Sequence, residues 1–154
     1  MANTLPTEKW GLKESADWWS AGQAARQQTL GAATEMMLEM AGVKTGSRVL
    51  DVAAGTGDLM LIAARRVGAI GYVLAADISA SMLNVAAEAA RNEGLTNVET
   101  RVVDAANLAL DADSFDAVIC RIALMLFPNP GRALSEMRRV VKSGKAASSH
   151  LRCQ

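Results

Sequence analysis

The stretch Arg48-Val49-Leu50-Asp51-Val52-Ala53-Ala54-Gly55-Thr56-Gly57-Asp58 decides the fold. It is a short apolar run that reaches a carboxylate and then two glycines. Val49, Leu50 and Val52 suit a strand buried on both faces, and Gly55 and Gly57 permit a tight turn with close approach of a ligand. Downstream, Leu59, Ile62, Ala63, Arg66 and Val67 keep helical period until Gly68 stops it. A strand thus delivers a loop to the N-terminus of a helix, where free amides and the helix dipole favour an anionic group.

Charge narrows the ligand. A dinucleotide-binding loop requires Gly-x-Gly-x-x-Gly or Ala, and the third position here is Met60. Asp51, at the carboxyl end of its strand, repels a pyrophosphate and suits an ammonium. These two residues disfavour a nicotinamide-dependent oxidoreductase. A ligand with a carboxylate for the helix end, an amine for Asp51 and a nucleoside is S-adenosylmethionine. Val49 to Gly57 resembles the first motif of class I S-adenosylmethionine-dependent methyltransferases, with wording similar to ubiquinone and menaquinone C-methyltransferases. The family often has Gly at the middle position where this chain has Ala53, a small departure by sequence. The resemblance implies cofactor contacts from Asp51, Ala53, Gly55, Thr56 and Gly57.

Tyr72 to Asp77 reads as a second apolar strand ending in a carboxylate, twenty residues beyond Gly57. At that spacing an acid accepts hydrogen bonds from ribose hydroxyls; the alternative is that Asp77 and Ser79 cap a helix predicted from Ser79 to Asn92. The resemblance places Ile78 and Met82 against adenine. Asn97 to Val103 is a third, more polar strand that suits a sheet edge. It ends at Asp104-Ala105, which in the family meet the adenine amino group and a ring nitrogen. Asp51, Asp77 and Asp104 all fall at strand ends, where open parallel sheets bind ligands.

Phe115 to Cys120 resembles the family's fourth motif. Beyond it, Arg121 is a candidate for the cofactor carboxylate or an acceptor, or for bonding nearby carbonyls. The apolar run Leu124 to Phe127 is pocket lining or core, with Leu124 a candidate acceptor contact. Asn129 and Pro130 open a helix predicted to bury Ala133, Leu134, Met137, Val140 and Val141.

Residues 1–44 predict an N-terminal helical cap. Ser15 caps a first helix, Gly31 interrupts, and Ala32, Ala33, Met36, Met37 and Met40 form an apolar stripe on a second. Trp18 and Trp19 point about 100° apart and cannot share one stripe. In the family such a helix covers cofactor and acceptor, which makes Trp18, Trp19, Gln23 and Arg26 candidates for that surface. The plainer role is that the tryptophans anchor the helix to the domain.

The 154 residues carry sixteen basic and sixteen acidic side chains, without a Lys/Arg run. Nucleic acid and acidic membranes are therefore not expected partners, and a small-molecule acceptor is. No apolar run is long enough to cross a membrane, no leader-like segment opens the chain, and a cytoplasmic location is expected. Cys120 and Cys153 fit no metal or disulfide framework and are expected as free thiols, and His150 is expected in solvent.

The fold expected over residues 45–145 is α/β and Rossmann-like, three layers deep, with parallel sheet order 3-2-1-4 and a possible fifth strand. It is incomplete at the C-terminal side: the family's Lys-Pro-Gly-Gly turn and apolar fifth strand are here Lys142-Ser143-Gly144-Lys145 and the polar residues 146–154. Unless that tail pairs, strand four is a bare apolar edge and a route to homodimers. The expected activity is methyl transfer by direct in-line displacement, without an assigned catalytic base. The alternative is a non-catalytic, S-adenosylmethionine-binding or self-associating module.

Overall fold

The computed structural model of the protein describes residues 7–145 and 147–150. Cys153 lies outside them, and so does the side chain of His150. Three N-terminal helices, α1 (Thr7–Trp10), α2 (Lys13–Ala21) and α3 (Gln23–Met40), precede five strands. These are β1 (Arg48–Val52), β2 (Tyr72–Asp77), β3 (Val98–Val102), β4 (Ala117–Arg121) and β5 (Ala147–His150). Helix α4 (Asp58–Val67) links β1 to β2, α5 (Ala80–Asn92) links β2 to β3, and α6 (Pro130–Val140) follows β4. The sheet is parallel throughout, in order β3-β2-β1-β4-β5.

Strand alternation explains the layers. Val49, Val73, Ala75 and Ile119 pack with α3, α4 and α5 on one face; Leu50, Val52, Leu74 and Val118 pack with α6 on the other. Asp51 therefore shares the α3/α4 side with Val49, and its backbone position at the carboxyl end of β1 aims it at the site. The polar β3 is a sheet edge, as its composition demands.

Several local expectations fail for identifiable reasons. The conditional bare edge at β4 is not realised, because the tail takes the other alternative: Ala147 to His150 pair with Val118 to Arg121. The N-terminal helices part at Gly22, not Gly31. A β-carbon at Gly22 would stand 2.7 Å from Arg26 Nη1, whereas at Gly31 it would meet nothing within 4 Å. Leu12, not Ser15, holds the N-cap position of α2, and Ser15 bonds back to the Lys9 carbonyl. On α3 the buried positions are Thr34, Met37 and Leu38, while Met36 and Met40 face solvent. On α6 Leu134 is exposed and Glu136 takes a place in the buried stripe.

Candidate functional site

The three strand-end carboxylates converge on one side of the sheet, as their positions predict, but in different states. Asp51 is 1 % exposed and its Oδ2 has no hydrogen-bond partner. Burial pushes its pKa up to about 8, with Arg121 pulling down and Asp77 and Asp58 adding repulsion. Such a group is an unmet demand for a cationic donor. Asp77 is used differently: Oδ2 accepts from the Gly55 amide and Oδ1 from the Ser79 amide, both at 2.8 Å. Burial raises its pKa as well, and those amides oppose the rise. The helix-cap role falls to Ser79, whose hydroxyl accepts from the Met82 amide. Asp77 thus fixes the glycine loop while each oxygen keeps spare acceptor capacity. Asp104 is exposed, with Oδ1 closing a turn onto the Ala106 amide.

The glycines divide the labour. Gly55, at φ +56°, lies under Trp19, whose Nε1 would be 3.4 Å from an added β-carbon. At Gly57 that carbon would lie 2.8 Å from Ala86 and 2.9 Å from Met60, so this glycine allows the close packing of α4 on α5. Ala53 has φ +58°, so its departure from glycine costs backbone strain. Ile122 is also left-handed, at φ +61°, an outlier for a β-branched residue directly beside the cavity.

Two adjoining hollows result. The larger, about 130 Å³, is lined at the ends of β2 and β3 by Asp77, Ile78, Met82, Asp104, Ala105 and Leu108, and closed by Trp10, Trp19, Phe127 and Pro128. The smaller, about 20 Å³, lies among Asp51, Asp58, Arg121 and Trp19. Its size is near that of one water, and its walls are charged. Asp58, the first residue of α4, receives Arg26 Nε at 2.9 Å and lies 3.7 Å from Arg121 Nη2. Among the described residues, Arg121 Nη1 donates to Thr34 Oγ1 at 2.9 Å. Arg26 also lies over the Trp19 ring, 4.3 Å from its centroid.

Among the expected acceptor contacts, Trp19 and Arg26 belong to this assembly. Trp18 is 71 % exposed, and Leu124 is buried outside the cavity wall. Thr56 is buried, its hydroxyl on Asp58 at 3.3 Å. Sequence reading passed over Asp58, Thr34, Trp10 and Ile122. Asp58 alone carried a signal, as the acidic first residue of a helix. Cys120 is a free, fully buried thiol with its pKa pushed up by burial to about 12, and it belongs to the core. Among the described residues no group of His, Cys, Asp or Glu could hold a metal ion, and no helix is long and apolar enough to cross a membrane.

A parallel 3-2-1-4 sheet with a glycine loop after β1 and carboxylates ending the first three strands defines the class I S-adenosylmethionine-dependent methyltransferase fold. The residues present fit that cofactor: an unpartnered buried carboxylate oxygen suits its ammonium, and the apolar hollow suits its nucleoside. The chain belongs to the methyltransferase domain family, whose match spans residues 43–152. It is 40 % identical over 108 residues to the ubiquinone/menaquinone biosynthesis C-methyltransferase UbiE of Hydrogenovibrio crunogenus, covering 70 % of this chain and 42 % of that protein. The UbiE of Pseudomonas savastanoi pv. phaseolicola is 42 % identical over the same shares. This chain therefore spans under half the length of these curated relatives. Among solved structures, a SAM-dependent methyltransferase from Aquifex aeolicus is 31 % identical with TM-score 0.66, covering 71 % of this chain and 58 % of that one. The [4+2]-cyclase SpnF is also 31 % identical, with TM-score 0.73, covering 80 % and 45 %.

Proposed function

We propose that the chain binds S-adenosylmethionine across the two hollows and directs its methyl group to a small-molecule acceptor. The reading rests on one observation above all: the unpartnered, buried Oδ2 of Asp51 beside an apolar hollow. Asp51 would hold the ammonium, Asp77 the ribose hydroxyls, Asp104 and Ala105 the adenine edge, and Ile78 and Met82 its faces. Arg121 and the α4 N-terminus offer the carboxylate its positive charge, although Asp58 already occupies part of that end. When bound, the cofactor supplies a methyl group activated by its sulfonium. The protein's part is to exclude water and align an acceptor, which can be worth up to roughly 7–11 kcal/mol.

Likeness to UbiE supports a carbon acceptor on a ubiquinone or menaquinone precursor. Trp10, Trp19 and Phe127 offer an aromatic acceptor a stacking surface at the mouth. The domain reading that goes with it makes residues 1–44 a cap over the site and residues 45–145 the cofactor domain.

Calorimetry with S-adenosylmethionine and S-adenosylhomocysteine tests the binding. Micromolar affinity that falls at least tenfold in Asp51→Asn supports the assignment, and absence of binding by a folded chain refutes it. A methyl-transfer assay with a quinol precursor then separates an enzyme from a binding module: turnover supports the first, binding without turnover the second. The likeness to SpnF makes that assay necessary, because the same fold carries a cyclase.

A further inference from the structure

Glu136 stands in the apolar stripe of α6 beside Ala133, Met137 and Val140, and it is 5 % exposed. A carboxylate there is costly unless compensated. Its compensation is directed at one loop. Oε2 accepts from the Leu108 amide at 3.0 Å, and the Arg139 guanidinium spans both oxygens at 2.8 and 2.9 Å. These bonds hold its pKa down at about 2, so it is charged at any working pH. Arg139 Nη1 donates to the Leu110 carbonyl at 2.7 Å, and Arg132 Nε to the Ala106 carbonyl at 3.0 Å.

Arg132, Glu136 and Arg139 follow i, i+4, i+7 spacing and share one helix face. Together they grip backbone groups of Ala106, Leu108 and Leu110, alternate residues of the loop after β3. That loop needs an external mould. It lies outside helix and strand apart from one Asp104–Asn107 bridge, and Ala109 is held at φ +49°. Its other side is the cavity wall, formed by Asp104, Ala105 and Leu108.

We propose that Glu136, with Arg132 and Arg139, is a positioning element for the base-binding wall, setting the places of Asp104 and Ala105 from outside the cavity. Selectivity for the purine then depends on side chains that never touch it. The inference rests on the S-adenosylmethionine reading given above.

The test uses the full chain with Glu136→Leu and Arg132→Lys, thermal unfolding, and calorimetry with S-adenosylhomocysteine and its 6-oxo analogue S-inosylhomocysteine. Glu136→Leu is expected to stay folded, bind S-adenosylhomocysteine about tenfold more weakly, and lose at least threefold of the preference for adenine over hypoxanthine. Arg132→Lys removes one exposed donor in fork geometry and is expected to lose about two- to threefold in affinity with a smaller drop in that preference. A purely structural residue would shift the melting temperature and leave the base preference alone. Native base preference in folded Glu136→Leu, or in Arg132→Lys should the first variant not fold, overturns the proposal and leaves the binding reading standing. If the native chain binds neither ligand, the binding reading falls and the proposal with it.

Discussion

The two hollows of the site are built on opposite plans. The larger hollow is apolar, and its one buried carboxylate, Asp77, is already satisfied by the Gly55 and Ser79 amides. The Asp51 side concentrates charge: Asp51, Asp58 and Arg121 have side chains or residues at most 8 % exposed, with Arg26 at 14 %. One region is finished before any ligand arrives; the other leaves an acceptor unmet. Shape is preformed in the apolar hollow, and electrostatic demand is stored in the charged one.

The largest expected effect lies in the charged half and depends on pH. Asp51 has its pKa raised to about 8, so between about pH 4 and 8 the native state holds a proton that the unfolded chain has lost. Stability from this group is complete below pH 4 and declines as pH rises toward 8, by at most about 1.4 kcal/mol per unit. Asp51→Asn cannot titrate. Urea melts are expected to show the variant losing less stability than the native chain between pH 5 and 8, with a residual slope from Asp77, whose shift has the same sign. Equal slopes in the two proteins would erase the contrast between the hollows. The same proton couples to the ligand: cofactor affinity should climb from pH 6 toward 8, with proton release visible as buffer-dependent heat and absent in Asp51→Asn.

Asp77→Ala probes the finished half. Removing an acceptor from two buried amides costs about 1–3 kcal/mol for each group left unsatisfied, so stability and cofactor affinity fall together. Asp51→Asn should by contrast cost affinity, about 1.5–3 kcal/mol or roughly 10- to 150-fold, without loss of stability at pH 8. If Asp77→Ala lowered affinity alone, the satisfied carboxylate would be a pure ligand group and the two halves would be alike.

The adjoining tryptophans scale the same comparison down. Trp19 separates the hollows and carries Arg26 on its ring, whereas Trp18 is 71 % exposed. Trp19→Ala is expected to cost about 2–3 kcal/mol, less than a fully buried tryptophan, and Trp18→Ala about 0.5 kcal/mol or less. Denaturation midpoints of the pair, measured side by side, check this; similar losses would mean that Trp19 does no more than anchor α2.

How much of this the sequence shows depends on range. The strands themselves, the polar edge character of β3 and the three strand-end acids follow from period and spacing, which are local and act through backbone geometry. The charged half does not. Arg121 meets Thr34 across 87 positions and Arg26 meets Asp58 across 32, pairings that exist only once α3 has docked. Glu136 was hidden for the opposite reason: period alone reads a buried stripe as apolar, and the Leu108 amide that makes a charge tolerable there lies 28 residues away.

Ala53 sits at the seam, lining both hollows, and supports the smallest and most local test. At φ +58° its β-carbon crowds its own backbone, a penalty of roughly 1–2 kcal/mol that glycine does not incur. Glycine also gives the unfolded chain more freedom, which offsets about 0.4–1 kcal/mol of the gain. Ala53→Gly should therefore raise stability by up to about 1 kcal/mol, which for a domain of this size is roughly 2–4 °C in melting temperature. Cofactor affinity should move less than twofold, because no charged or hydrogen-bonding group is altered in either hollow. An unchanged or lower melting temperature would show that the alanine methyl contributes packing at the seam that outweighs its strain. The two hollows would then be joined by a contact rather than merely adjacent.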